Sequence, residues 1–205
     1  DPVLVLFEGG RFAFAADGTM TRTTFLAFKI LKQDAVRGWG SLSIGWSPWH
    51  EDRPVVRARV VNEDGREYAL DPASLIESAV GDAGDATYSD RRRLEGPYPQ
   101  VRPGSVVEVE ISTVIRPVME GAGIAARWWY GGDDLVVASR LEIVTPEGMP
   151  LAVRALGTAV PSPVVRTEGG RTVREYRALL VPAVADDASL RPRDAPPAPV
   201  LYFST

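Results

Sequence analysis

His50 is the one histidine in a chain of 205 residues that holds no cysteine, so the nucleophile and proton-transfer chemistry open to the protein is narrow. A cysteine nucleophile, a redox CxxC pair and cysteine-ligated zinc are excluded. A zinc site of several histidines goes with them, and one imidazole remains for acid–base work. It lies in Trp46-Ser47-Pro48-Trp49-His50-Glu51-Asp52, where a hydroxyl, an imidazole and two carboxylates follow one another closely. Neighbours on an extended chain point apart, and a triad is assembled by the fold rather than by adjacency. The segment therefore reads as a polar loop between strands.

The other candidates are weaker. Ser41-Leu42-Ser43-Ile44-Gly45 lacks the first glycine of a nucleophile elbow and its α/β surroundings. Gly121-Ala122-Gly123-Ile124-Ala125-Ala126 has the GxGxxA form of a dinucleotide fingerprint, which needs a helix behind it to meet the phosphate. Gly131-Gly132 breaks any such helix, and Trp128-Trp129-Tyr130 reads as strand. Glu108 and Glu110 leave one face of a strand and have the chemistry for glycoside hydrolysis, yet the same alternation marks any solvated face. Asp82 and Asp85, beside Gly81 and Gly84, suggest a calcium loop without EF-hand spacing. Arg91-Arg92-Arg93 reads as a solvated loop, with an anion grip as the alternative. No catalytic residue, metal or cofactor is assigned.

Tryptophan carries the remaining signal. Trp128 and Trp129 are adjacent, so on a strand one ring faces in and one out. Trp39, Trp46 and Trp49 bracket a strand and its exit loop. Exposed rings stack on sugars and anchor peptides, which makes Trp128, Trp129, Tyr130, Trp46 and Trp49 the candidate binding residues. The competing expectation is core packing with one ring partly exposed.

The elements that position these residues are almost all strands. Arg11–Ala15, Asp17-Gly18 and Thr21–Leu31 form an expected hairpin. Pro54–Val61 and Arg66–Leu70 around Glu63-Asp64-Gly65 form a second, and Leu135–Val144 and Pro150–Leu156 around Thr145-Pro146-Glu147-Gly148 a third. Val106–Ile115 alternates most cleanly, with Val107, Val109, Ile111, Thr113 and Ile115 on one face. Arg171–Val181 follows Glu168-Gly169-Gly170. Asp71-Pro72-Ala73-Ser74 fits a short capped helix or an extended edge segment. Residues 81–100 read as a long loop or irregular hairpin. The expectation is all-β: a large antiparallel β-sandwich of long twisted strands with little or no helix, over residues 1–190. Residues 191–205 follow as a proline-rich connector.

Composition agrees. Hydrophobic residues make up 45% of the chain, and 27 acids against 23 bases give a net charge of −4, no electrostatic footprint for nucleic acid. Only Lys29 and Lys32 among the 23 basic residues are lysines, a bias expected of a GC-rich genome. No apolar run reaches the roughly 20 residues of a membrane helix. The opening Asp1-Pro2 shows no signal-type segment, so a leader is expected to have been removed or never present.

Three stretches together resemble the domain of unknown function 3857 family of bacteria. They are Asp17-Gly18 with the strand through Phe28-Lys29-Ile30-Leu31; Trp46-Ser47-Pro48 running into Val56-Arg57-Ala58-Arg59-Val60-Val61 and Asp64-Gly65; and Val101-Arg102-Pro103-Gly104-Ser105-Val106-Val107-Glu108. The last is the most telling, a Pro-Gly-Ser turn opening a long strand. The Trp128-Trp129-Tyr130 cluster lies outside that pattern. The resemblance implies an all-β, non-catalytic accessory domain preceding a transglutaminase-like, papain-like domain in cis. It also implies a periplasmic or cell-envelope location. On that reading the sequence is an N-terminal module ending at Thr205 where a catalytic domain begins, with a polypeptide or glycan ligand. The alternative is a stand-alone carbohydrate- or cell-wall-binding module using exposed tryptophan.

Overall fold

The computed structural model describes residues 2–80, 90–119, 121–132, 134–157, 160–183 and 198–205. Asp82 and Asp85, raised as a calcium-loop possibility but not assigned a metal, lie outside them, as do residues 191–197 of the expected connector. In chain order the elements are β1 (Val3–Phe14), β2 (Met20–Ile30), the short helix α1 (Ala35–Trp39), β3 (Ser41–Trp46), β4 (Val55–Val61) and β5 (Glu67–Ala69). Then come β6 (Ile76–Ala79), β7 (Arg92–Pro97), β8 (Val106–Ile115), β9 (Ala125–Trp129) and β10 (Val136–Pro146). The last are β11 (Ala152–Leu156), β12 (Val164–Glu168), β13 (Arg171–Val181) and β14 (Val200–Ser204).

The fold is all-β, as the alternation predicts. An eight-stranded sheet runs β12-β13-β10-β1-β2-β8-β4-β5, and two three-stranded sheets run β3-β7-β6 and β11-β14-β9. All pairs are antiparallel except β1 with β10. Both small sheets cover one face of the large one. Leu42, Trp46 and Leu94 pack on Val3, Phe28, Val60 and Val107 in one core. Leu201, Phe203 and Ile124 pack on Phe12, Phe14, Leu141 and Ile143 in the other. The molecule is thus a sandwich whose second layer is split in two.

A bulge decides what faces inward on β1. Val3 and Val5 are buried at odd positions, the register shifts between Val5 and Phe7, and Phe12 and Phe14 are then buried at even positions. An extra residue in a strand inverts every side chain beyond it. Glu8 and Gly10 are thereby carried to the covered face, and Phe7 to the open one.

The first two hairpins form as expected, β1 with β2 and β4 with β5. The third does not. The Pro146 carbonyl accepts from Met149 N at 3.1 Å, so the turn exists, but β11 pairs with β14 and β10 pairs with β13. The ladder from Val136↔Val181 to Pro146↔Arg171 matches two strands of equal length, which the five residues of β11 do not offer. Residues 81–100 include β7, which closes an antiparallel hairpin with β6. Asp71 caps a single 3-10 turn at Pro72–Ser74, its carboxylate accepting from Ala73 N at 2.9 Å. The expected connector also needs correction at its end. Val200, Leu201 and Phe203 are buried in β14, because their apolar side chains complete the second core.

The open face of the large sheet is held by ion pairs. Arg140 and Arg177 each meet the Glu175 carboxylate at 2.7 Å, and Arg11 meets Glu142 at 2.9 Å. Glu108 and Glu110 belong to this face too, paired with Arg59 at 2.6 Å and Arg57 at 3.0 Å across β4. The two carboxylates serve the sheet surface and are neutralised by guanidinium.

Candidate binding cleft

Where the second layer divides, a cleft of about 820 Å³ opens onto the large sheet. Its floor comes from β1, β2 and β8 through Glu8, Phe12, Met20, Arg22, Ile111 and Ile115. One wall is β9, all five of whose residues line it, and the other includes Ile44 of β3. A smaller hollow of about 220 Å³ continues along Ser41–Ile44 of β3 and shares Thr24, Ile44 and Ile111 with the cleft.

His50 and Glu51 close one end. The segment is tied to the end of β8: Arg116 N donates to the His50 carbonyl at 2.8 Å, and Asp52 N to Val114 O at 2.9 Å. Glu51 accepts from Ser47 N at 2.9 Å and pairs with Arg22 at 3.4 Å, while Asp52 pairs with Arg116. Both carboxylates beside the histidine are therefore engaged elsewhere. His50 Nδ1 is buried without a hydrogen-bond partner, so no carboxylate orients the ring and no triad forms among the described residues.

Three polar atoms in the cleft lining are buried and unpaired: Glu8 Oε1, His50 Nδ1 and Trp128 Nε1. Burial pushes the Glu8 carboxyl above its ordinary range, because a low-dielectric wall penalises the charged form. Behind the cleft, the Tyr130 hydroxyl is also buried and unpaired. Its own burial, together with Tyr176 and Glu8 nearby, raises the phenol pKa. A buried polar group without a partner is costly.

The structure sorts the aromatic candidates. Trp46 is 4% exposed and Tyr130 1% exposed, one in each core, and neither presents a ring face to solvent. Trp128 packs edge-on against Phe12 at 6.3 Å. Its ring lies over Gly10, where an added Cβ would meet it at 2.5 Å. Trp129 lines the cleft with the Arg127 guanidinium 5.4 Å from its ring centre. Trp49 is 59% exposed and packs against the His50 ring at 4.3 Å.

Sequence reasoning missed Glu8, Arg22 and Arg127. Glu8 faces in only because of the bulge, and Glu8-Gly9-Gly10 within a strand was the available sign. The GxGxxA segment leads into β9, a strand, and an added Cβ at Gly123 would meet the Thr205 carbonyl at 1.8 Å. Gly123 serves a close chain approach, and the segment leads into no helix that could meet a phosphate. Arg92 and Arg93 lie on β7, with Arg93 3.3 Å from Glu95.

Comparison with known proteins agrees with this architecture. The family model described as Domain of Unknown Function with solved-structure structure (DUF3857) matches residues 16–185. The crystal structure of a putative protease from Parabacteroides distasonis is similar over 100% of the chain, with a TM-score of 0.87 and 18% identity. The chain covers 40% of that protein. An M1 zinc metallopeptidase from Deinococcus radiodurans gives a TM-score of 0.48 and 10% identity, over 98% of this chain and 42% of the other. No curated protein matches.

Proposed function

The chain belongs to the DUF3857 family, and from that premise we propose that it is a non-catalytic accessory domain serving a catalytic domain in cis. The observation that carries this reading is coverage. All of the chain is similar to a protein named as a protease, yet it spans 40% of that protein's length. The chemistry of the cleft supports it. A nucleophile, a base and an orienting group within hydrogen-bond reach are what covalent catalysis requires, and His50 has no such neighbours among the described residues.

The catalytic partner on this reading is a transglutaminase-like domain of papain type, and the location is extracytoplasmic; both come from the family resemblance. The accessory role is to position that domain or to present substrate to it, and the cleft is the surface available for the second task. Two cores supply the rigidity a positioning domain needs. Calorimetric titration of this chain into the separately produced remainder of its natural protein is the test. Saturable association, with a lower KM for amide substrates in the complex, is expected. No heat and an unchanged KM would remove the reading.

A further inference from the structure

We propose that the cleft binds an extended polypeptide, which adds as a strand to the free edge of β9 and directs an acidic side chain to Arg127. The proposal rests on the reading of the chain as a binding domain and names its partner class.

The first observation is how the hollows meet the strands. Successive residues of a strand point to opposite faces, so a hollow that touches all of them approaches from the edge. Every residue of β9 lines the cleft, and Ser41 through Ile44 line the hollow along β3. The other edge of each strand is taken, by β14 and by β7. Among the described residues, the cleft therefore lies between two open sheet edges.

The second observation is that these edges are poorly guarded. Sheet edges are protected by charge, proline or shortness against adding a further strand. β3 has no charged residue or proline in six positions, and β9 has Arg127 alone. Both sit over the apolar floor of Phe12, Met20, Ile111 and Ile115, ready for alternate side chains of an added strand. Five residues of β9 would hold a segment of about 17 Å at ~3.4 Å per residue.

Charge selects the segment. Glu51 and Asp52 are paired with Arg22 and Arg116, whereas Arg127 is exposed over Trp129 and pairs with no carboxylate among the described residues. An acidic side chain directly across from it completes a cross-strand pair. A glycan is the less fitting occupant, because the Trp128 ring lies on Gly10 and the Arg127 guanidinium lies over Trp129.

The test is fluorescence anisotropy of the 205-residue chain with a short fluorescein-labelled peptide alternating valine and glutamate. Saturable binding is expected, together with loss of at least about ten-fold in affinity when the same peptide is N-methylated along its backbone, which removes ladder donors without touching the protein. Arg127→Glu, on the exposed face of β9, should leave the melting temperature unchanged. It should weaken the glutamate peptide by about five-fold, the upper range of an exposed ion pair, and favour a valine–lysine peptide instead. Equal binding of the N-methylated peptide, no peptide binding, or binding of a chito-oligosaccharide in its place would overturn the proposal. Association with the catalytic remainder but no peptide binding would overturn this proposal alone. Peptide binding without that association would overturn the cis reading and leave the strand site standing.

Discussion

Glu8 and Gly10 concentrate what is unusual about the molecule into one stretch of β1. Both face the covered side of the large sheet, one with an unpaired carboxyl oxygen and the other supporting a tryptophan ring. The raised Glu8 pKa makes a signed prediction. The native state holds its proton above the ordinary glutamate value of 4.5, so the native state binds more protons than the unfolded chain there. Stability then falls as pH rises through that window. In urea titrations from pH 4.5 to 8, Glu8→Gln should flatten this decline and be no less stable than the parent at pH 8. A steeper decline in the variant would show that the carboxylate is stabilised in the native state. At Gly10 the constraint is steric. Gly10→Ala pushes a methyl group into the Trp128 ring, and overpacking of this kind costs about 1–3 kcal/mol. Urea unfolding should show that loss, with a shifted tryptophan emission; an unchanged midpoint would mean that Trp128 moves aside freely.

Among the elements, the turn before β8 shows how sequence and structure connect. Gly104 has a φ of 87°, a region glycine enters without strain, and its N–H donates to the Ile30 carbonyl at 2.8 Å. Ser105 is fully buried; its hydroxyl donates to Asn62 Oδ1 at 2.5 Å and accepts from Arg102 N at 3.0 Å. Ser105→Ala should cost about 1–3 kcal/mol, since it leaves Asn62 Oδ1 and the Arg102 amide without the serine hydroxyl in a buried setting. Differential scanning calorimetry checks it, and a melting point within error of the parent would discount the network. Such local signals were legible: the Pro-Gly-Ser turn, the alternation of β8, the Asp17-Gly18 hairpin and the Asp71 cap all act within a few residues. Partnerships between distant strands were not. Nothing near Thr145–Gly148 indicates that β10 will pair with β1 and β13 while β11 leaves for another sheet. The cleft was hidden for the same reason, because it exists only where β3 and β9 end their sheets.

Taken whole, the molecule is one broad sheet with a divided cover, and the division is where binding chemistry gathers. Its only histidine, a protonation-prone glutamate and an indole N–H line one cleft, and among the described residues none is arranged with a second group to make or break a bond. The sequence pointed to four tryptophans and Tyr130 as candidates, and burial leaves Trp128, Trp129 and Trp49 at or near the cleft while Trp46 and Tyr130 hold the cores. On the proposed function this chain works beside a catalytic domain in the same polypeptide. The decisive measurement is the intact mass of the natural protein, isolated from its source. A mass well above 22.2 kDa, with sequence continuing past Thr205, is the predicted result. A mass near 22.2 kDa would contradict the account and make this sandwich a stand-alone binder.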